Sequence, residues 1–413
     1  MKTLLYLSPY SVVPPQYGGP ARIYNLCREL SREYRVMHFA QQVHRRNARV
    51  SVAPVIQHVT PTYTEYSSRN PLSMVLQRAG SRLRWPVVWQ SAVLGLSSPR
   101  WLREQVERAS VITVEHPWQF RWVHEKVGGT KPVVLTAQNV ESVLWATGGI
   151  RAPSRVAHLL ARTVERVERF AVRHATRVFT MSPEDTSELV RRYGVAPERC
   201  VVIPNGVACD TLVPATAARR QERKRELGLS GKRVIVFIGS THGPNRGAVQ
   251  QIIEWAEGWP DERDHFLIVG GVGRLFPNVR HPRLTITGLV DDSRSFLEAA
   301  DVAINPIQSG SGTSIKQAEY MALGLPSVAT PTGARGITMV DGEHGFVREL
   351  GEFPPLLRWL GDHPEVCDRV GAAARAFARL ELDWPMIAER AGAVYREIEA
   401  ASHLQDSPRG ATP

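Results

Sequence analysis

Cysteine is scarce in this sequence: Cys27, Cys200, Cys209 and Cys367 are the only four in 413 residues, and none form a C-x-x-C pair. That spacing argues against a disulfide framework or a cysteine zinc site and fits a reducing compartment. Long apolar runs are also missing, and no stretch approaches the roughly 18 residues of a membrane span. The apolar start Thr3–Leu7 is too short for a signal-peptide core and stops at Ser8-Pro9. It reads as the first β-strand of a cytoplasmic protein. Low-complexity tracts are absent, and 43% hydrophobic with 22% charged residues is ordinary globular composition. Acidic residues nearly vanish from one region: between Glu33 and Glu104 the only one is Glu65.

What is present is positive charge, unevenly placed. Residues 1–200 carry 28 Lys+Arg against 14 Asp+Glu, whereas residues 201–413 carry 23 against 26. The whole excess of +11 therefore comes from the first half, which points to an acidic partner there: anionic lipid, nucleic acid or a phosphorylated substrate. Within the acid-poor region Leu72, Val75, Leu76, Ala79 and Leu83 recur at helical spacing beside Arg78, Arg82 and Arg84, with Trp85 and Trp89 following. Such a stretch suits a membrane interface, although most amphipathic helices are core-facing, which favours a helix packed on its own sheet with a solvated arginine face.

Both halves alternate short apolar runs with helical patterns. Thr3–Leu7, Arg35–Phe39, Ser110–Val114, Pro132–Thr136 and Arg177–Thr180 read as strands in the first half. Lys232–Ile238, His265–Val269, Leu284–Thr287, Val302–Asn305 and Ser327–Thr330 do so in the second. This alternation predicts α/β architecture with two doubly wound, parallel-sheet domains, whose ligands bind at the carboxyl ends of strands. The expected division is 1–203, 204–400 and a polar tail 401–413.

The stretch richest in chemistry is Ser309–Gly336, SGSGTSIKQAEYMALGLPSVATPTGARG. Gly310 and Gly312 allow close approach of the backbone to a ligand, and Thr313 and Ser314 can cap the following helix. A glycine loop opening a helix offers N–H groups to an anion. Lys316 adds a cation in the first turn, where the helix dipole does not favour one, so a negative ligand is implied. Glu319 lies three residues on, on the same face, with a carboxylate able to accept two ribose hydroxyls.

The segment Glu319-Tyr320-Met321-Ala322-Leu323-Gly324-Leu325-Pro326-Ser327-Val328-Ala329 resembles the donor-binding signature of retaining GT-B glycosyltransferases of the family-four, or group 1, type. Gly18-Gly19, Pro204-Asn205-Gly206-Val207, Ile286–Val290 and Asp341–Phe346 resemble further pieces of that family in the expected order. The resemblance implies two Rossmann-like domains facing across a cleft, an N-terminal acceptor-side domain and a C-terminal nucleotide-sugar-binding domain with C-terminal helices. It implies that Lys316 and the N–H groups of Gly312, Thr313 and Ser314 face a diphosphate and that Glu319 holds the ribose. By the same resemblance Leu289 and Val290 meet the base, and Gly18 and Gly19 approach from the first domain. His116 resembles a histidine on the donor-sugar or acceptor side of catalysis, and Gln138, Asn139 and Glu141 resemble a loop lining the acceptor pocket. Ser311 stands where the family often has a second carboxylate, and Arg246 substitutes for, or leaves to Lys316 alone, the usual diphosphate contacts of the first loop.

The implied activity is transfer of a sugar from a nucleotide-sugar donor to an unidentified hydroxyl acceptor with retention, with no metal and no cofactor beyond the donor itself. A peripheral position at the inner face of an anionic membrane fits the basic half. Another GT-B enzyme, such as a nucleotide-sugar epimerase, remains the nearer alternative. Nucleic-acid binding is the distant one, since zinc spacing, RNA-recognition aromatics and a basic heptad region are lacking.

Overall fold

Short apolar runs become strands here because both faces of each are covered. In the first of them Leu4, Leu5, Tyr6 and Leu7 are all fully buried, as expected for a parallel sheet between helical layers. The computed structural model describes residues 1–15, 18–41, 53–68, 70–83, 85–147, 154–241, 243–310 and 313–406. Gly312, Ser311 and Arg84 lie outside the described residues.

The chain divides into two compact units, Met1–Pro204 with Ile387–Pro413, and Asn205–Met386. The first holds β1 (Thr3–Ser8), β2 (Arg35–Ala40), β3 (Val55–Thr60), β4 (Tyr63–Ser67), β5 (Val111–Glu115), β6 (Val133–Ala137), β7 (Arg177–Thr180) and β8 (Cys200–Val202). Their order is β3-β4-β2-β1-β5-β6-β7-β8, parallel throughout except for the antiparallel pair β3–β4. The second holds β9 (Arg233–Ile238), β10 (Asp264–Val269), β11 (Leu284–Ile286), β12 (Val302–Asn305), β13 (Ser327–Ala329) and β14 (Phe346–Val347). These are all parallel, in the order β11-β10-β9-β12-β13-β14.

β3 and β4 fall in the acid-poor segment and were not expected as strands. β3 alternates half-buried and exposed residues over its first four positions, the pattern of an antiparallel edge, whereas the continuous apolar run marks a central parallel strand. The helical spacing after it does form a helix, Pro71–Leu83. Its apolar residues do not all turn inward: Leu72 is 45% and Val75 62% exposed. Among the described residues no helix is long and apolar enough to cross a membrane.

The domain division needs one correction. Residues 387–400, expected in the second domain, group with the first, and the expected tail is helical as far as Asp406, within the helix Trp384–Asp406. The reason is a buried polar seam. The Tyr395 hydroxyl lies 2.6 Å from that of Tyr6 on β1 and 2.9 Å from the Thr113 hydroxyl on β5. Lys2 and Ser110 both donate to Glu399, at 3.1 and 2.9 Å. At the other exit of the unit, the buried Arg22 donates to the carbonyls of Ile203 and Pro204 at 2.7 and 2.5 Å.

Tyr395→Phe leaves two buried hydroxyls short of a partner and should destabilise the chain by about 1–3 kcal/mol. Tyr395→Ala adds a cavity and should cost about 3–5 kcal/mol. Urea denaturation of both variants measures the difference, and equal midpoints would refute the seam's role.

Candidate functional site

In the second sheet β9 is flanked by β10 on one side and β12 on the other. Connections therefore leave β9 and β12 in opposite directions, and a crevice opens at their carboxyl ends, the usual ligand position in such sheets. The side chains that meet there come from the two helices following those strands, Gly243–Gly258 and Ile315–Ala322. Lys316 Nζ donates to Asn245 Oδ1 at 2.7 Å and sits 4.1 Å over the ring of Phe237, a β9 residue. Asn245 is buried and held in turn, its amide donating to the Ser240 carbonyl at 3.0 Å. The Lys316 helix is pinned to β9 where the Ile238 N–H donates to the Tyr320 hydroxyl at 2.9 Å.

The loop before that helix is set by Asn305 at the end of β12. Its amide donates to Ser314 Oγ at 2.9 Å and to the Gly333 carbonyl at 2.7 Å. This corrects the expectation that Ser314 caps the helix: it occupies the N-cap position but its side chain makes no capping bond, because Asn305 engages it. The first turn keeps its anion-attracting character without a side-chain cap. At the neighbouring strand ends Gly270 has φ 104°, and a Cβ there would lie 2.6 Å from the Gly239 carbonyl oxygen. Only glycine lets the two exit loops approach so closely.

Lys316 and Glu319 form no direct ion pair; they feel one another through space. Burial lowers Lys316 from its ordinary value to about 7, against the pull of Glu319. Burial raises Glu319 to about 7, against the pull of Lys316. Both side chains keep some solvent contact, so the directions matter more than the size: each charge is held at a disadvantage until a ligand compensates it. Thr313 lies at the same loop, packed close against Gly336. Arg246 does not join the cluster: it is exposed, one position around the helix from Asn245. Leu289 is 63% exposed beyond β11, while Val290 turns into the core.

The first unit builds a second cluster by the same geometry. β1 lies between β2 and β5, and residues following β1 and β5 meet across that reversal. Tyr10 Oη lies 3.0 Å from His116 Nε2. His116 Nδ1 lies 2.8 Å from Glu141 Oε1, so the carboxylate fixes Nδ1 as the protonated nitrogen and leaves Nε2 to accept in the neutral ring. Glu141 also accepts from Trp145 Nε1 at 3.1 Å, and its own backbone N–H donates to Glu168 at 2.6 Å. Burial raises the Glu168 carboxyl above its ordinary value despite hydrogen bonds from Tyr193 and Ser142. His116 has φ 65° and ψ 163° and is the one non-glycine residue with positive φ among the described residues. Such a backbone costs about 1–3 kcal/mol and persists where the surroundings hold it.

Gly19 belongs to this cluster because a side chain there would not fit: a Cβ would lie 2.5 Å from Tyr10 Oη and 3.0 Å from Gln138 Oε1. Gln138 donates to the buried Glu115 at 2.8 Å. Gly18 opens the helix Gly18–Leu30, and Asn139 stays half-buried after β6. Thus Gly19, His116, Gln138 and Glu141 converge in one unit, and Lys316, Glu319, Thr313 and Ser314 in the other. Sequence reasoning missed Tyr10, Glu115 and Asn245. Tyr10 and Asn245 each follow the first strand of a Rossmann-like sheet, and that position was the available signal.

Comparison with known proteins follows this division. The family described as Glycosyl transferase 4-like domain matches residues 18–206, and that described as Glycosyl transferases group 1 matches residues 232–356. A D-inositol 3-phosphate glycosyltransferase of Corynebacterium diphtheriae is 28% identical over 235 residues, covering 52% of this chain and 54% of the relative. The chain thus spans about half the length of that relative. In structure, sucrose-phosphate synthase from Thermosynechococcus elongatus superposes with a TM-score of 0.68 at 16% identity, covering 97% of this chain and 100% of the other. The Anabaena protein HepE, in complex with UDP and glucose, gives 0.67 at 16% identity, covering 96% and 100%.

As pH rises through about 7, Lys316 loses its positive charge and Glu319 gains a negative one. Both changes repel an anion. Sulfate, whose own charge is constant over the range, should bind this cluster more weakly at pH 8.5 than at pH 6, as read by titration calorimetry. In the double variant Lys316→Gln with Glu319→Gln that pH dependence should vanish; its survival would refute the assignment.

Proposed function

This chain belongs to the group 1 glycosyltransferases of the GT-B fold, and we propose that it moves a sugar from a nucleotide-sugar donor to a hydroxyl acceptor with retained anomeric configuration. The observation that carries this reading is the Lys316–Asn245 bridge over the β9–β12 crevice, beside an uncapped helix N-terminus. In the proposed reaction the bond from the anomeric carbon to the diphosphate oxygen breaks, and the acceptor oxygen bonds to the same face. The leaving phosphate oxygen takes the acceptor proton. Negative charge grows on the diphosphate, and Lys316 with the first turn of its helix stabilises it where burial has removed competing water. The Ser314 N–H, expected to share in this, is instead donated to the Arg335 carbonyl at 3.2 Å. The bound dianion restores the protonated state of Lys316 that burial disfavours. Glu319 accepts the ribose hydroxyls, and the backbone at Leu289 and Val290 meets the base. The Anabaena neighbour's complex with UDP and glucose supports a donor of this class.

His116 serves the sugar or acceptor side, with Gln138, Asn139 and Glu141 around it. Glu141 fixes its tautomer, and the strained backbone fixes its direction. The relative's named substrate, an inositol phosphate, and the excess of basic residues in the first half both suit an acceptor carrying negative charge or held at an anionic surface. A specific observation favours a peripheral position on the inner face of an anionic membrane: Leu72, Val75 and Trp85 are exposed at 45%, 62% and 36%, with Arg78 exposed on the same helix as Leu72 and Val75. Apolar groups and basic side chains together suit an interfacial helix.

Lys316→Ala should lower kcat/KM by about 2–4 kcal/mol of transition-state stabilisation with the fold intact, and Glu319→Ala should impair turnover as well. Product NMR after EDTA treatment should show the donor's anomeric configuration. An inverted product, activity restored only by added Mg²⁺, or near-normal turnover by Lys316→Ala would overturn the mechanism.

Each basic side chain near an anionic surface contributes about 1 kcal/mol. Liposome co-sedimentation at low salt should therefore show binding to anionic but not neutral vesicles, reduced by Leu72→Ser with Val75→Ser and by Arg78→Gln. Unchanged sedimentation in these variants would leave the segment a packed helix without a membrane role.

A further inference from the structure

The second unit contains a cavity of about 370 Å³ far from the Lys316 crevice. It is bordered by Arg233, Asp264 and Val302, the first residues of β9, β10 and β12, or residues at those starts. The Lys316 cluster sits at the opposite, carboxyl ends of the same strands. Six residues of β9 separate the two regions by roughly 17–20 Å. A cavity of this size lies within the range of small-molecule sites, roughly 300–1,000 Å³.

Its walls carry five cations, Arg220, Lys224, Lys232, Arg233 and Arg263, against the three carboxylates Asp264, Asp301 and Asp368. The carboxylates do not exhaust the donors. Arg233 donates to both oxygens of Asp264 at 2.6 and 2.5 Å, and Trp259 donates to the same group at 2.7 Å. Lys224 donates to Asp301 at 2.6 Å. After these pairings Arg233 Nη1 and Arg220 Nε remain buried without a partner. Two buried guanidinium donors in one cavity are an unsatisfied demand for an oxyanion, since a buried charged donor left unpaired is costly. Gly361 lets the Arg233 guanidinium lie against the backbone at one wall: a Cβ there would collide with Nη1.

We propose that this cavity is a second anion site that takes a compact phosphate-bearing metabolite, separate from the donor crevice. Arg263 is paired outside the walls with Asp261 at 2.7 Å, so the remaining four cations face three carboxylates, an excess that suits an anion such as a phosphate monoester. Planar guanidinium forks suit phosphate oxygens better than any other common oxyanion partner except carboxylate. The site is independent of what the Lys316 crevice binds, because its residues and those of the crevice do not overlap.

The test is titration calorimetry of the full chain with glucose 6-phosphate, and with acetate as the carboxylate control. Wild type should bind one equivalent of the phosphate ester in preference to acetate. Lys316→Ala should bind it equally well, whereas Arg220→Gln should weaken it about tenfold, the loss expected for one charge-assisted hydrogen bond. Arg220 lies on the helix Ala217–Glu226 with part of its surface in solvent, so the variant should fold, and its thermal midpoint checks this. Gly361→Val provides a second variant that displaces the Arg233 guanidinium and should abolish binding. Binding lost in Lys316→Ala but kept in Arg220→Gln would place the ester in the donor crevice and overturn the proposal. So would preference for acetate, or no binding at millimolar ester.

Discussion

Both candidate clusters in this molecule depend on where a parallel sheet reverses its direction of growth. Strands β1 and β9 each start a sheet, and the chain later returns to fill the other side. At that reversal the helices and loops no longer close over the strand ends, so polar side chains from two distant parts of the sequence can meet. In the first unit Tyr10 meets His116, and in the second Asn245 meets Lys316, each by one hydrogen bond across the reversal. The same opening that topology creates is lined twice, once by a tyrosine–histidine contact and once by an amide–ammonium contact.

The two clusters also differ in how they store readiness. Around His116 it is geometric: a backbone in a region that side chains rarely adopt, locked by Glu141 and, behind it, by Glu168 and Tyr193. Around Lys316 it is electrostatic: an ammonium and a carboxylate both partly desolvated and displaced in pKa toward each other. Either form of stored cost is stable only because the surrounding core is well packed, and Phe237, fully buried beneath Lys316, is part of that core.

Much of this was legible in the sequence, for reasons that can be traced. Val302–Asn305 and Arg177–Thr180 were placed without error because a buried parallel strand is a short apolar run cut off by polar residues. Lys316 and Glu319 stood out because a cation in a first turn contradicts the helix dipole. β3 was hidden because an edge strand with one wet face alternates rather than runs, and β4 because its buried positions include the polar residues Glu65 and Ser67. Asn245 was hidden because an amide in a first turn has an ordinary local explanation, and only the return of β12 beside β9 gives it a partner 71 positions away. Arg246, its neighbour, carried the more conspicuous charge and faces solvent. The return of residues 387–400 to the first unit was invisible for the same reason: the Tyr395 hydroxyl finds Tyr6 and Thr113 only in three dimensions.

That return has a consequence for the order in which the chain can be built. The first unit is nearly all synthesised before the second begins, yet its β1–β5 seam waits for Tyr395 and Glu399. A nascent chain released from the ribosome up to Met386 holds a complete second unit and an unfinished first one. The contact between Tyr6 and Tyr395 closes a span of 389 positions, so it cannot form before residue 395 has been made. N-terminal domains generally mature first during translation, whereas here the half that emerges first cannot complete its polar seam until the last helix has been made.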